Sequence, residues 1–133
     1  MQKRLIINTD GGCYPNPGNM GIGVVIQSET GETKEISRSI GKGTNNMAEY
    51  SAVVVALEEA RDMKATHLII RSDSQLLIRQ LNGSYRVKNP KLRPLYKKAV
   101  SLVNEFDEVV FEWTPRNNNS EADKLANSAA TKK

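Results

Sequence analysis

Four carboxylates stand out by where they fall in the chain. Asp10 follows the apolar stretch "LIINT" and precedes Gly11-Gly12, and Glu49 lies just inside a long helical pattern that opens at Thr44. Asp73 follows "HLIIR", and Asp123 shares the first turn of the last helical run with Glu121. In an open α/β sheet, sites gather outside the carboxyl ends of the strands. If strand one and the strand at 67–71 are parallel neighbours, Asp10 and Asp73 come side by side. Like carboxylates packed together repel and need a compensating cation. An oxygen-only donor set points to Mg²⁺, or to Mn²⁺ in its place. Two such ions about 4 Å apart serve in-line phosphoryl transfer, one generating the nucleophile and the other stabilising the leaving oxygen.

Each acid alone has a plainer reading. Asp73 and Asp123 suit helix caps, Glu49 a surface helix acid, and Asp10 a turn before two glycines. Their joint placement carries the argument, so the elements that position them matter.

Residues 3–9 read as a strand ending at a Gly11-Gly12 break. Residues 14–21, "YPNPGNMG", hold two prolines and two glycines and read as a loop. Strands follow at 22–28 and 33–40, joined by the turn "ETGE". From Thr44 the apolar residues Met47, Tyr50, Val53, Val54, Leu57 and Ala60 keep helical spacing. Three consecutive valines weaken that helix intrinsically, so burial must hold it. A short strand at 67–71 leads to a helix with Asp73 or Ser74 as cap and Asn82-Gly83 as stop. A helix at 91–105 tolerates Pro94 only in its first turn. A strand at 108–113 and a helix at about 120–130 complete the order β-β-β-α-β-α-α-β-α. Three antiparallel strands followed by two parallel additions through helical crossovers give a mixed five-stranded sheet flanked by helices, an α/β fold.

The 133 residues suit one domain, 1–133. The single Cys13 and single His67 exclude an internal disulfide and Cys/His metal sites. No apolar run is long enough to span a membrane, and Leu5–Ile7 is too short for a signal peptide. A cytoplasmic monomer without membrane association is the simplest reading. The net charge of +4 is compatible with a polyanionic partner and does not demand one.

Four blocks, "TDGGCYPNPGNMGIGVVI", "TNNMAEYSAVVVALEEA", "SDSQLLIRQLNG" and "WTPRNNNSEADKLAN", together closely resemble type 1 ribonuclease H (ribonuclease HI). The resemblance runs from about Lys3 to Ala130 with the blocks in order. It implies the ribonuclease H-like fold. It implies an endoribonuclease that hydrolyses the RNA strand of RNA–DNA hybrids with two Mg²⁺ ions, leaving 5′-phosphate and 3′-hydroxyl ends. Asp10, Glu49, Asp73 and Asp123 match the family's metal-binding carboxylates, with Asp10 bridging both ions and Glu49 also meeting a ribose 2′-hydroxyl. By the same matching, Gly11, Gly12, Cys13, Asn16, Asn45 and Gln75 meet the minor groove. Thr44 and Asn16 contact a phosphate of the DNA strand. Cys13 has the alternative of a small buried hydrophobe.

The chain departs from the pattern in three places. Many relatives carry a histidine in the loop before the last acid. Here Arg116 is the stand-in among the catalytic residues, as in short members of the family, and arginine cannot shuttle protons near neutrality. Asn117 to Asn119 read as turn formers. No basic protrusion is inserted in "NGSYRVKNPKLRPLYKKA", although Lys88, Lys91, Arg93, Lys97 and Lys98 form a positive cluster that suits either DNA phosphates or a solvated face. Met47-Ala48 replace a position where some relatives place an arginine. Double-stranded RNA is a further candidate substrate. The alternative to the nuclease is a catalytically weak or inactive nucleic-acid-binding protein that keeps the fold.

Overall fold

The computed structural model describes residues 2–131. Its strands are β1 (Arg4–Tyr14), β2 (Gly18–Ser28), β3 (Thr33–Gly43), β4 (His67–Ser72) and β5 (Glu108–Trp113). Its helices are α1 (Asn45–Asp62), α2 (Gln75–Leu81), α3 (Arg93–Val103) and α4 (Ser120–Ala130). The five strands form one sheet in the order β3-β2-β1-β4-β5. β1 is antiparallel to β2 and parallel to β4, and β4 is parallel to β5. This is the mixed sheet expected from the sequence.

Period-two alternation sorts β1 between two layers. Leu5 and Ile7 are almost fully buried, as are Val24 and Ile26 on β2. They pack with Val53, Leu57 and Ala60 of α1 and with Ala99 and Leu102 of α3. Burying one such side chain is worth about 1.5–3 kcal/mol, which offsets the poor helix propensity of the valine run in α1. Cross-strand partners share a face, so Gly21, Gly23 and Val25 point to the opposite layer, against α4. A Cβ on Gly23 would strike the Ala122 carbonyl, and one on Gly21 the Ala126 carbonyl. These glycines let α4 lie close on β2.

That role corrects the reading of 14–21 as a loop. β1 continues through Gly11-Gly12 to Tyr14, and β2 restarts at Gly18, so only Pro15–Pro17 turn. Gly11 and Gly21 serve close approach of helices to the strands, whereas Gly18 serves the turn, since a Cβ there would strike the Pro15 carbonyl. The helix expected at 91–105 is shorter, Arg93–Val103, with Pro94 in its first turn. Thr44 caps α1 by accepting from Met47 N at 3.2 Å. Ser74, not Asp73, caps α2, accepting from Leu77 N at 3.2 Å. No helix among the described residues is long and apolar enough to cross a membrane.

Candidate active site

The parallel pairing of β1 with β4 ends at Asn8–Arg71. Just beyond it β1 carries Asp10, and the link from β4 to α2 carries Asp73. Glu49 arrives from the first turns of α1, where Gly11 makes room for it. A Cβ at Gly11 would collide with the Ala48 carbonyl. With hydrogen there instead, the Gly11 N–H donates to Glu49 Oε1 at 2.6 Å. Each of Asp10, Glu49 and Asp73 offers an oxygen within 4.8 Å of the others. Asp10 and Glu49 are buried, and Asp73 is partly exposed.

Crowding and burial shift these groups. Burial is the main force raising Asp10, to about 7, opposed by its hydrogen bond with Glu49 and reinforced by Asp123 and Asp73. Burial also pushes Glu49 well above the usual range, aided by the negative charge of Asp10 and restrained by the Gly11 N–H. Without a cation the pair therefore holds a proton to higher pH than ordinary carboxylates do, and that titration belongs to the two acids together. A divalent cation would replace that proton. An all-oxygen, closely spaced, self-repelling donor set suits such an ion.

Asp123 stands beside Asp10 on the α4 side and raises it. It is not one of the three acids of the tight cluster. One of its oxygens lies 3.7 Å from Arg116 Nη2, and the other accepts from Asn127 Nδ2 at 3.4 Å. All four acids line one cleft of about 300 Å³ together with Gly11, Gly12, Cys13, Asn45 and Arg116.

The wall of the cleft is a small polar lattice. Asn45 Oδ1 accepts from the Cys13 N–H at 2.9 Å, and Cys13 Sγ lies 3.2 Å from Asn16 Oδ1. Cys13 is only partly buried, so the alternative of a core hydrophobe is set aside. Thr44 lies immediately before Asn45 as the cap of α1. Gln75, at the start of α2, is exposed and lies outside the lining of the cleft.

Two supports were not legible from residue types. The Trp113 Nε1–H donates to the Asp73 carbonyl at 3.2 Å, fixing the link that bears Asp73. The Tyr50 hydroxyl, one residue after Glu49, donates to Gln80 Oε1 at 2.6 Å and ties α1 to α2. His67 lies at the opposite end of β4, beside Thr66 Oγ1, away from the acids.

Comparison with known proteins agrees with this geometry. The family described as reverse transcriptase-like matches residues 8–129. The bifunctional protein Rv2228c of Mycobacterium tuberculosis is 38% identical over 128 residues, covering 95% of this chain but 35% of that protein. The chain thus spans about a third of that relative's length. The solved N-terminal RNase H domain of Rv2228c superposes with a TM-score of 0.92 at 37% identity, covering 97% of this chain and 94% of that one. A ribonuclease H of Chlorobium phaeobacteroides is 40% identical over 112 residues, covering 83% of this chain and 75% of that protein. LC11-RNase H1, solved in complex with an RNA/DNA hybrid, has a TM-score of 0.88 at 42% identity, covering 95% of this chain and 96% of that one. Similarity in sequence and in fold over nearly the whole chain places it in the ribonuclease H family, with the type 1 enzymes.

Proposed function

We propose that the chain is a metal-dependent endoribonuclease that hydrolyses the RNA strand of RNA–DNA hybrids. The convergence of Asp10, Glu49 and Asp73 in one cleft carries this reading. Asp10, Glu49, Asp73 and Asp123 hold two Mg²⁺ ions, for which Mn²⁺ substitutes. When bound, the ions neutralise the charge at the scissile phosphate and activate water. The water oxygen bonds to phosphorus and the bond to the 3′ oxygen breaks, leaving a 5′-phosphate and a 3′-hydroxyl.

The chain's own groups decide what enters. A Cβ on Gly12 would meet only Asn45 Oδ1, at 3.8 Å, so nothing in the protein itself demands glycine there. The space it leaves belongs to the nucleic acid. Gly11, Gly12, Cys13, Asn16, Asn45 and Gln75 face the minor groove of the hybrid, and Thr44 and Asn16 hold a DNA-strand phosphate. Glu49 meets the ribose 2′-hydroxyl, the group that separates RNA from DNA. Arg116, largely exposed beside Asp123, guides the phosphate in and the product out. These contacts go to backbone and sugar, so cutting has little sequence preference.

The test is an end-labelled substrate panel of RNA–DNA hybrid, double-stranded RNA and single-stranded RNA with Mg²⁺, Mn²⁺ or EDTA. Internal cuts in the hybrid RNA that need metal and carry 5′-phosphates support the reading. Metal-independent cutting, or cutting confined to single-stranded RNA, overturns it.

A further inference from the structure

The run Asn117-Asn118-Asn119 precedes α4, and its three residues are not equivalent. Asn117 and Asn118 are exposed, whereas Asn119 is 2% exposed. All the polar groups of Asn119 are engaged. Its Nδ2 donates to the Thr9 carbonyl at 2.9 Å, and its Oδ1 accepts from Asn8 Nδ2 at 3.0 Å. Its own N–H donates to the Arg116 carbonyl at 2.9 Å, and its carbonyl accepts from the Asp123 N–H at 3.0 Å.

The two side-chain bonds reach back more than a hundred residues to β1, and the two backbone bonds tie the same residue to Arg116 and Asp123 close by. Thr9 immediately precedes Asp10, at the point where β1 outruns its pairing with β4. Arg116 opens the single turn Arg116–Asn118, and Asp123 lies in the first turn of α4. One buried amide thus fixes the β1 end against the α4 start, and with them Asp10, Asp123 and Arg116. A turn former needs none of this, since exposed asparagine supplies it.

We infer that Asn119 is a positioning residue that sets the placement of Asp123 and Arg116 relative to Asp10. It touches neither substrate nor reacting atoms. Groups that orient carboxylate ligands typically change metal affinity or activity by about 10–100-fold when removed. The inference rests on the reading of the cleft as a metal-dependent nuclease site, and its test separates the two.

The experiment compares wild type, Asn119→Ala, Asn118→Ala and Leu102→Ala. Leu102 is a core residue of α3, so its truncation lowers the Tm without touching the cleft. Each folded protein is titrated calorimetrically with Mn²⁺ alone, and kcat and KM are measured on the hybrid. The expected result is that Asn119→Ala weakens Mn²⁺ binding about tenfold and lowers kcat by at least as much, with KM little changed. Leu102→Ala should lose Tm while keeping wild-type metal affinity, and Asn118→Ala should match wild type. The inference is overturned if Asn119→Ala binds Mn²⁺ as wild type does, or if Leu102→Ala loses affinity in parallel with its Tm. If Asn119→Ala is too unstable to titrate, Asn8→Ala, which breaks only the bond to Oδ1, takes its place. An intermediate loss of affinity is then expected, and none overturns the inference. Wild type that binds Mn²⁺ but cuts nothing would instead sink the nuclease reading, leaving the titration to judge Asn119.

Discussion

The amide of Gly11 and the carboxylate of Glu49 meet at 2.6 Å, joining the central strand to the first helix inside the acidic cleft. The contact exists because Gly11 has no side chain to push α1 away. A Cβ on its neighbour Gly12 would make only an ordinary contact, with Asn45 Oδ1 at 3.8 Å.

The two glycines should therefore fail differently. Gly11→Ala forces α1 off β1, costing about 1–3 kcal/mol of stability and disrupting Glu49. Gly12→Ala should fold with an unchanged Tm but raise KM for the hybrid by occupying substrate space. Thermal melts and steady-state kinetics check both. Equal effects of the two substitutions would contradict the assignment.

The raised acids make a pH prediction for the metal-free protein. Asp10 is raised from 3.8 to about 7, chiefly by burial, and Glu49 moves the same way. Between those two values the folded state binds more protons than the unfolded chain. The stability from this group is present at low pH and is lost as pH rises through about 7. Asp10→Asn should thus stabilise the metal-free protein at pH 8 by on the order of 2 kcal/mol and change little at pH 4. Saturating divalent metal should raise the Tm of wild type more than that of the variant. Melts showing wild type at least as stable as the variant at pH 8 without metal would contradict this.

Much of this was legible in residue types and spacing. Alternation in β1, helical periodicity from Thr44 and the crossovers before β4 and β5 led to the sheet order that brings Asp10 beside Asp73. The family motifs marked all four acids and most of the cleft wall. The reading failed where one residue type serves two purposes. Gly21 looked like a turn residue, yet it lies within β2, where it accommodates α4. Asn119 looked like its two exposed neighbours, because burial of an asparagine depends on what packs over it. The long-range bonds from Asn119 to Asn8 and Thr9, and from Trp113 to Asp73, link segments whose approach only the tertiary fold decides.

Arg116 is 80% exposed at its side chain and 3.7 Å from Asp123, so the pair contributes little to stability. Arg116→Ala should leave the Tm within about 0.5 kcal/mol equivalent of wild type and lower kcat on the hybrid. With no histidine in the loop, the pH–rate profile of wild type should lack a titration step from that source. A large Tm loss without a change in kcat would point to a purely structural arginine.

For the basic cluster we propose a separate grip on the hybrid, against the alternative of a solvated face. Lys98 is engaged with Glu58 at 3.4 Å, whereas Arg93 and Lys97 line an exposed groove with Tyr85 and Arg86. Replacing Arg93 and Lys97 with Gln should weaken hybrid binding uniformly across sequences. It should also reduce the slope of log affinity against log salt by about one per lost phosphate contact. Binding isotherms at several salt concentrations check this, and an unchanged slope would mark the cluster as a solvated face.

The most direct measurement of the central claim is single-turnover cleavage of an end-labelled RNA–DNA hybrid by wild type, Asp10→Asn and Asp73→Asn, with Mg²⁺ and with EDTA. The account predicts internal RNA cuts by wild type with Mg²⁺, none with EDTA, and loss in both variants although they remain folded. Cleavage that survives in either folded variant, or a wild type inert with Mg²⁺ and Mn²⁺ alike, would contradict it.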